Sequence, residues 1–526
     1  MKGNCCKTIL KNMDYYNLGL FFSDVAKENK AKTALRYADK TLNFAELLDW
    51  TERLSGVLLH YGIQQGDVIA IASTKQELSY TLMLAALKLG IAYVNIDLNA
   101  PAVRNHHILK LAQVSYLFYD QPSSLPKLEE LINLSQVNAL ELTKNIASLS
   151  PSRGEKLEHL MKKVDGSSIA YIMFTSGSTG IPKGVAVTHQ NLIHFINWGK
   201  QHFQINPNDN FAQLSPLYFD NSVFDFYVAL FSGASLSPIS RELLNQPYEL
   251  VPYINKMACT IWFSVPSLLM YLTSMKAIAP QCMPHLRHIV FGGEGYPKTE
   301  LKRLYDFFAS QARLTNVYGP TECTCICSAY SISESDFMDL EGLPPLGTLN
   351  INFDYLILDE QNNESAQGEL CLIGPNVAAG YFNDLNRTKE VFITLTDSKH
   401  FMKRMYKTGD LVKEEEGILY FIGRKDNQIK HMGYRIELEE IENAMAKLPH
   451  INQAAVVYQR ANASYGKLIG FVASSESPEE QYLLNELEKL LPNYMIPSRI
   501  VVKKVLPKNS NGKVDRQQLM TEKLYG

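Results

Sequence analysis

The chain lacks several features that mark special classes of protein. Its eight cysteines do not form the C-x-x-C pairs of a zinc ribbon or a redox dithiol, which favours reduced thiols. No apolar run reaches the length of a membrane helix, and the first residues lack the apolar core of a signal peptide. A net charge of -3 leaves no overall basic excess for nucleic acid. We therefore expect a cytoplasmic protein with no nucleic-acid partner and no membrane insertion.

Three cysteines alternate in the segment ECTCICSAY, at positions 323, 325 and 327. If the segment is a strand, all three side chains point to the same face, because strand side chains alternate. One interpretation is a cluster of metal ligands. The interpretation that we favour is small apolar fillers on one buried strand.

The length and the apolar pattern indicate two domains. At 526 residues the chain is too long for a single core. Residues 15–140 and 168–420 alternate helical and strand patterns, which predicts α/β structure, and the polar stretch 143–168 between them is predicted to be a surface connection. After residue 423 the pattern changes to a compact α+β unit. We predict a large N-terminal domain of α/β subdomains at 1–423 and a small C-terminal α+β domain at 424–526.

The most informative segment is YIMFTSGSTGIPKGV, residues 171–185. A strand pattern runs into a loop of Gly, Ser and Thr that carries one lysine, Lys183. Glycines let backbone N–H groups approach an anion, and the lysine offsets negative charge, so the composition is typical of a phosphate-binding loop. The spacing is not that of the Walker loop, which disfavours a P-loop kinase. Taken alone, the loop could also be a flexible Gly/Ser connection.

The loop TSGSTGIPKG resembles the signature loop of the adenylate-forming superfamily, which contains amino-acid adenylation domains, acyl-CoA synthetases and luciferases. Four further segments match this family in the same order: NVYGPTE (316–322), YKTGDL (406–411), GRKDNQIKHMGYRIELEEIE (423–442) and LPKNSNGKVDR (506–516). Weaker matches extend the resemblance over nearly the whole chain. It implies an AMP-forming ligase with a large α/β domain and a small, mobile C-terminal domain.

The resemblance also implies roles for single residues. Glu322 would hold Mg²⁺, which prefers carboxylate and phosphate oxygens, and Asp426 would be the hinge between the domains. Lys183 and Lys513 would be catalytic, because a cation eases the attack of a carboxylate on ATP. Tyr318 would stack on the adenine, and Asp410 would bind the ribose. The implied nucleotide-binding set is Thr175, Ser176, Gly177, Ser178, Thr179, Gly180, Lys183, Tyr318, Gly319, Thr321, Asp410 and Arg424.

In SPLYFDNSVFD, Asp220 stands where amino-acid adenylation domains keep an aspartate for the α-ammonium group of the substrate. A helix N-cap is the alternative role. The family pocket carried onto this chain is Asp220, Asn221, Phe224, Phe263, Val290, Gly292, Val317, Cys325 and Ile326. Because Asp220 is its only charged residue and several others are bulky, a small side chain is favoured. We expect glycine or alanine first, then valine or isoleucine.

The expected reaction has two halves. ATP and the amino acid give an aminoacyl adenylate and pyrophosphate, and the 4′-phosphopantetheine thiol of a carrier protein then takes the acyl group. Ten residues follow Arg516, too few for a carrier domain, so we expect a separate carrier. The implied setting is cell-envelope aminoacylation, of teichoic acid or lipid A, or nonribosomal peptide synthesis. The alternatives are an acyl- or aryl-CoA ligase and a catalytically inactive nucleotide-binding regulatory protein.

Overall fold

The computed structural model describes residues 16–120, 125–142, 155–396, 402–460, 466–508 and 514–522, and it is a mixed α/β structure with a large N-terminal and a smaller C-terminal domain. The strands, in chain order, are β1 Thr33–Arg36, β2 Thr41–Asn43, β3 Val68–Ala72, β4 Ala92–Ile96, β5 Tyr116–Tyr119, β6 Asn138–Glu141, β7 Ile169–Thr175, β8 Lys183–Thr188, β9 Asn210–Gln213, β10 Ser235–Pro238, β11 Ile261–Ser264, β12 His288–Gly292, β13 Arg313–Tyr318, β14 Ser328–Ser331, β15 Thr348–Leu349, β16 Asp354–Leu358, β17 Gln367–Ile373, β18 Gly380–Tyr381, β19 Phe392–Leu395, β20 Lys403–Glu415, β21 Ile418–Arg424, β22 Gln428–His431, β23 Tyr434–Glu437, β24 Gln453–Arg460, β25 Gly466–Ala473 and β26 Arg499–Lys503.

Helices connect most of these strands. In chain order they are α1 Leu18–Glu28, α2 Phe44–His60, α3 Glu77–Leu89, α4 Ala102–Leu111, α5 Leu125–Ser135, α6 Glu155–Lys163, α7 His189–His202, α8 Asn221–Val223, α9 Arg241–Leu244, α10 Pro247–Lys256, α11 Pro266–Ser274, α12 Lys298–Phe308, α13 Leu385–Val391, α14 Leu438–Met445, α15 Glu480–Glu488 and α16 Arg516–Thr521. Helix α8 continues directly into a π-helical turn, Phe224–Val228. Within the described ranges, none of the helices is long and apolar enough to cross a membrane.

Two large sheets form the body of the N-terminal domain. One has nine strands in the order β15-β14-β13-β12-β11-β9-β10-β1-β2, and the other has seven in the order β18-β8-β7-β4-β3-β5-β6. Helix α3 is buried along almost its whole length and touches both sheets. Its Tyr80 hydroxyl donates to Gln213 on β9, and Met83 accepts from the Asn95 amide on β4. A helix that is apolar all round must be covered on every side, which explains its place between two sheets.

The smaller sheets are formed by the strands nearer the C-terminus. Strands β16, β17, β20 and β19 form a sheet in that order, and β21 pairs with β20. The hairpin β22-β23 follows, and β24, β25 and β26 form a three-stranded sheet covered by α14 and α15. The core between α14, α15 and this sheet is separate from the cores of the large domain, and Ile436 and Leu438 are its first residues. The predicted fold class is confirmed, whereas the boundary at 423 and 424 stays a prediction.

Two expectations from the sequence were wrong. The stretch 143–168 is not only a surface connection, because helix α6 buries Leu157 and Met161, one turn apart, against the core. The sequence pattern did not indicate this helix, because its narrow apolar stripe lies among polar residues. The cysteine segment is not a strand either: Thr321–Cys323 is a 3₁₀ turn, and Thr324 and Cys325 have positive φ angles of 61° and 74°. The three cysteines are buried as expected, but they do not share one strand face.

One ion pair of the large domain provides a stability test. Arg287 donates two hydrogen bonds to the buried carboxylate of Asp209, at 2.7 and 2.6 Å, and two more to the backbone carbonyls of Phe203 and Gln204. Removing Arg287 leaves the buried charge of Asp209 without its counter-ion, although Asn206 and Thr260 still donate hydrogen bonds to it. We expect Arg287→Ala to lower the free energy of unfolding by about 3 kcal/mol.

Urea unfolding followed by tryptophan fluorescence measures this change, because Trp50, Trp198 and Trp262 all lie in the large domain. Arg303→Ala is the control, since the pair of Arg303 with Glu300 is largely exposed and contributes less than about 1 kcal/mol. An equal loss of unfolding free energy in the two variants would contradict the expectation that the buried carboxylate makes the Arg287 pair the stronger one.

Candidate active site

The signature loop joins β7 to β8 and is packed closely. The two strands form an antiparallel hairpin in which Thr175 pairs with Lys183. Gly177 has no room for a side chain, because a Cβ atom there would lie 2.1 Å from the carbonyl oxygen of Ile181. Gly180 has a φ of 78°, which favours glycine. The loop conformation therefore depends on the glycines that the sequence singled out.

Glu322 is the electrostatic centre of the site. Its side chain is fully buried, and it follows β13 in the 3₁₀ turn Thr321–Cys323. The Tyr381 hydroxyl donates to Oε1 at 2.8 Å, and Arg435 donates to Oε2 at 2.7 Å. The Lys183 ammonium lies 3.6 Å from Oε1 and 3.8 Å from Glu437. Four elements that are distant in the sequence thus meet at one carboxylate.

The charges of this cluster shift one another's pKa values. Burial alone would raise the pKa of Glu322, but Arg435 and Lys183 outweigh burial and hold the pKa well below its usual range. Burial and the nearby Arg435 guanidinium lower the pKa of Lys183, and the two glutamates partly offset this. Glu322 is therefore an anion at neutral pH despite its burial.

A second cluster links the motifs around Tyr318 and Asp410. The Tyr318 hydroxyl donates to Oδ2 of Asp410 at 2.6 Å, and Arg424 donates to Oδ1 at 2.8 Å. The same guanidinium reaches Asp426 through two hydrogen bonds, at 2.8 and 2.5 Å. Lys430 lies 5.9 Å from the centroid of the Tyr318 ring. Asp410 is nearly fully buried, and Arg424 connects it to the predicted hinge residue.

A cavity of about 730 Å³, which we call the main cavity, lies between these clusters, and Asp220 lines it. The Thr321 hydroxyl donates to the carboxylate of Asp220 at 2.6 Å. Burial raises the pKa of Asp220, and the Thr321 hydrogen bond opposes this shift. Asp220 immediately precedes helix α8, but its side chain makes no capping hydrogen bond there. The geometry therefore favours the binding role over the N-cap.

Most of the predicted substrate pocket lines this cavity. The residues that line it are Asp220, Asn221, Phe263, Val317, Cys325 and Ile326. Three more residues of the predicted pocket lie behind this lining. The ring of Phe224 meets the ring of Phe263 at a centroid distance of 5.4 Å, Val290 pairs with Phe263 between β11 and β12, and Gly292 pairs with Val317 between β12 and β13.

The predicted nucleotide-binding residues also fall into two groups, those that line the cavity and those that contact other elements. The residues that line the cavity are Thr175, Ser176, Tyr318, Gly319, Thr321, Asp410 and Arg424. Gly177, Ser178 and Thr179 are instead in contact with side chains of other elements, which are Glu440, Asn443 and Arg387. Lys513 lies outside the described residues.

The sequence interpretation missed several residues of the site. Arg435, Glu437 and Glu440 lie in the matched segment 423–442, but no role was assigned to them. Glu294 accepts hydrogen bonds from the backbone N–H of Ser267 at 2.7 Å and of Gly433 at 3.0 Å. It also lines a second cavity of about 220 Å³ beside Tyr318. The run VFGGEGY, with a strand that ends in two glycines and an acid, is the signal that could have indicated it.

The glycine-rich loop and the buried charge clusters around the cavity define a candidate nucleotide-binding enzyme, and comparison with known families agrees. Residues 22–382 match the family described as AMP-binding enzyme, and residues 440–513 match the C-terminal domain of the same family. This chain belongs to the family of AMP-binding enzymes.

Individual relatives narrow the class. The chain is 30% identical over 523 residues to a D-alanine--D-alanyl carrier protein ligase of Bacillus cytotoxicus, with 94% of this chain and 97% of the relative covered. The Vibrio cholerae adenylation domain AlmE, solved with glycyl-adenosine-5′-phosphate, is 26% identical with a TM-score of 0.80, and the match covers 95% of this chain and 96% of AlmE. An NRPS protein with adenylation and PCP domains, bound to a vinylsulfonamide inhibitor, is 26% identical with a TM-score of 0.82, covering 97% and 84%.

The geometry around Asp410 predicts its effect on nucleotide affinity. Loss of a hydrogen bond to a charged group costs about 1.5 to 3 kcal/mol. We expect Asp410→Asn to weaken AMP binding by about 10- to 100-fold, measured by isothermal titration calorimetry. Glu415→Gln is the control, because Glu415 is on the same strand but exposed and paired with Lys413. Unchanged AMP affinity in Asp410→Asn would contradict the role of this carboxylate.

Proposed function

We propose that this enzyme activates a small amino acid with ATP, releases pyrophosphate, and transfers the aminoacyl group to the phosphopantetheine thiol of a separate carrier protein. Glycine and alanine are the favoured substrates. The observation that carries the proposal is Asp220, a carboxylate that faces the main cavity beside the signature loop and the Tyr318 cluster.

Asp220 indicates the chemical class of the substrate. Asp220 is partly buried in the wall of the cavity. Withdrawing a carboxylate from water without a counter-ion costs free energy, so a cationic group of the substrate is its natural complement. The α-ammonium group of an amino acid supplies this charge, whereas a fatty or aryl acid does not. This argument favours amino-acid activation over an acyl- or aryl-CoA ligase.

The other polar groups suit a bound Mg-ATP. The glycine-rich loop provides close backbone N–H groups for phosphates, and Lys183 provides a cation. Glu322 is a carboxylate, the donor type that Mg²⁺ prefers, and it would hold the ion together with phosphate oxygens once Arg435 has left Oε2. When bound, the metal ion would offset the charge of the phosphates. Asp410 would accept the ribose hydroxyls, and the 220 Å³ cavity beside Tyr318 would take the base.

The inner wall of the pocket supports a small side chain. Phe224 lies behind Phe263, and its ring also meets Phe203 and Phe211 at centroid distances of 5.1 and 5.5 Å. All four rings are buried, and the other three pack on Phe224, so enlarging the pocket would require repacking a core. The relatives that act with D-alanine, or were solved with a glycyl adenylate, agree with this size.

The second half-reaction requires access for a thiol. The hairpin β22-β23 contributes Met432 and Gly433 to the wall of the main cavity, where Gly433 lies against Val265. We propose that the phosphopantetheine arm enters there, and that the small domain, 424–526, turns about Asp426 between the two halves. Lys513 would serve the first half. The proposed setting is cell-envelope aminoacylation or nonribosomal peptide synthesis.

Amino-acid-dependent exchange of labelled pyrophosphate into ATP tests the activity. We expect the purified protein to respond to glycine or to one enantiomer of alanine, and to respond weakly to valine and isoleucine, because buried rings fill the space behind Phe263. The substrate panel contains all proteinogenic amino acids, D-alanine, fatty acids and aryl acids. Exchange only with fatty or aryl acids would move the protein to the CoA ligases.

Removing the charge of Asp220 tests how the amino group is recognised. Asp220→Asn keeps the shape of the side chain but leaves the substrate ammonium without a counter-charge, so we expect kcat/KM for exchange to fall by about 100-fold or more. AMP affinity is the internal control and is expected to stay within about twofold. Normal exchange in this variant would make Asp220 a structural residue.

A further inference from the structure

A carboxylate of the small domain lies on the signature loop. Glu440, on helix α14, is 2% exposed, and its Oε2 accepts a hydrogen bond of 3.1 Å from the backbone N–H of Gly177. Its Oε1 pairs with Arg104 of helix α4 in the large domain. Asn443, one turn further along α14, donates to the carbonyl oxygen of Ser178 at 3.2 Å. Helix α14 therefore covers the loop.

A guanidinium of the small domain lies on Glu322. Arg435, on β23, donates to Oε2 of Glu322 at 2.7 Å, and its own backbone carbonyl accepts from the Ser176 hydroxyl at 2.8 Å. The other oxygen, Oε1, faces Tyr381 and Lys183. Both oxygens of Glu322 are thus engaged by protein groups in this arrangement.

The charges of these two contacts correspond to those of the leaving product. A backbone N–H of a glycine-rich loop that donates to an anion is how such loops hold a phosphate oxygen. A cation that contacts a buried carboxylate occupies the position that a divalent metal ion takes when it binds both a carboxylate and phosphates. Glu440 carries a negative charge, as a phosphate oxygen does, and Arg435 carries a positive charge, as the metal ion does.

We propose that Glu440 and Arg435 are positioning residues that take the places of a pyrophosphate oxygen and of Mg²⁺, so that this arrangement of the small domain and bound magnesium pyrophosphate exclude each other. The inference rests on the proposed function, because pyrophosphate is the product of the proposed first half-reaction.

The exclusion acts in both directions. A ligand that binds only the undocked arrangement has its affinity reduced by the fraction of molecules that are undocked. Weakening the docking contacts must therefore tighten the binding of magnesium pyrophosphate, and magnesium pyrophosphate must weaken the docking. An ordinary loss of structure would change the affinity in the opposite direction or leave it unchanged.

The first experiment measures the affinity of the full-length protein for inorganic pyrophosphate in the presence of Mg²⁺, by isothermal titration calorimetry. We expect Glu440→Gln and Arg104→Gln each to bind about tenfold more tightly than the wild type. Arg104→Gln is on the large domain and outside the loop, so it tests the docking even where a change in α14 impairs folding. Because the two residues form one pair, the double variant is expected to bind little more tightly than either single variant.

Arg516→Gln is the matched control. Arg516 pairs with Glu442 of the same helix α14, at 2.7 Å, but this pair lies within the small domain. Its loss is expected to leave the affinity for magnesium pyrophosphate unchanged. Unchanged affinity in both Glu440→Gln and Arg104→Gln, or equal tightening in Arg516→Gln, would overturn the proposal.

Hydrogen–deuterium exchange of the wild type gives a second readout. Magnesium pyrophosphate is expected to speed amide exchange in the hairpin 428–437 and in α14, and to slow it in the signature loop. Slower or unchanged exchange in the hairpin and α14 would overturn the inference. Failure of the proposed function has a different signature, which is the absence of amino-acid-dependent pyrophosphate exchange in the wild type.

Discussion

The buried carboxylate of Glu322 is the constraint on which the rest of the site depends. An uncompensated anion in a dry interior costs several kcal/mol, so the fold must bring cations and hydrogen-bond donors to it. Lys183 comes from the hairpin of the signature loop, Tyr381 from the edge strand β18, and Arg435 from the small domain. The relative placement of three separate parts of the chain is therefore tied to a single charge.

A single arginine links the candidate nucleotide site to the predicted hinge. Arg424 is shared between Asp410, which faces the cavity, and Asp426, which is half exposed at the beginning of the small domain. Lys425, between them, donates its backbone N–H to the carbonyl oxygen of Gly409 at 2.9 Å. A change in the charge around Asp410 is thus felt by the residues about which the small domain is proposed to turn.

The sequence predicted the parts of the site that are local. The signature loop, the Tyr318 turn and Asp410 were identifiable because glycines and one fixed polar residue determine each of them within about ten residues. The partners of these groups were not identifiable. Arg435 and Glu322 are 113 residues apart, and Arg104 and Glu440 are 336 apart, so only the folded chain pairs them. The strand predicted for the cysteine segment was wrong for a related reason: the backbone takes a positive φ at Thr324 and Cys325, which the alternation of residue types does not reveal.

The pairing of protein charges with ligand charges bears on how an enzyme of two half-reactions can cycle. If the undocked site left Oε2 of Glu322 and the loop N–H groups without partners after pyrophosphate departs, the empty state would be costly and product release would be slow. Arg435 and Glu440 would supply the same signs of charge from within the chain, so that one set of ion pairs replaces another of similar strength. Because the two arrangements would then differ little in free energy, occupancy of the phosphate site alone would suffice to choose between them.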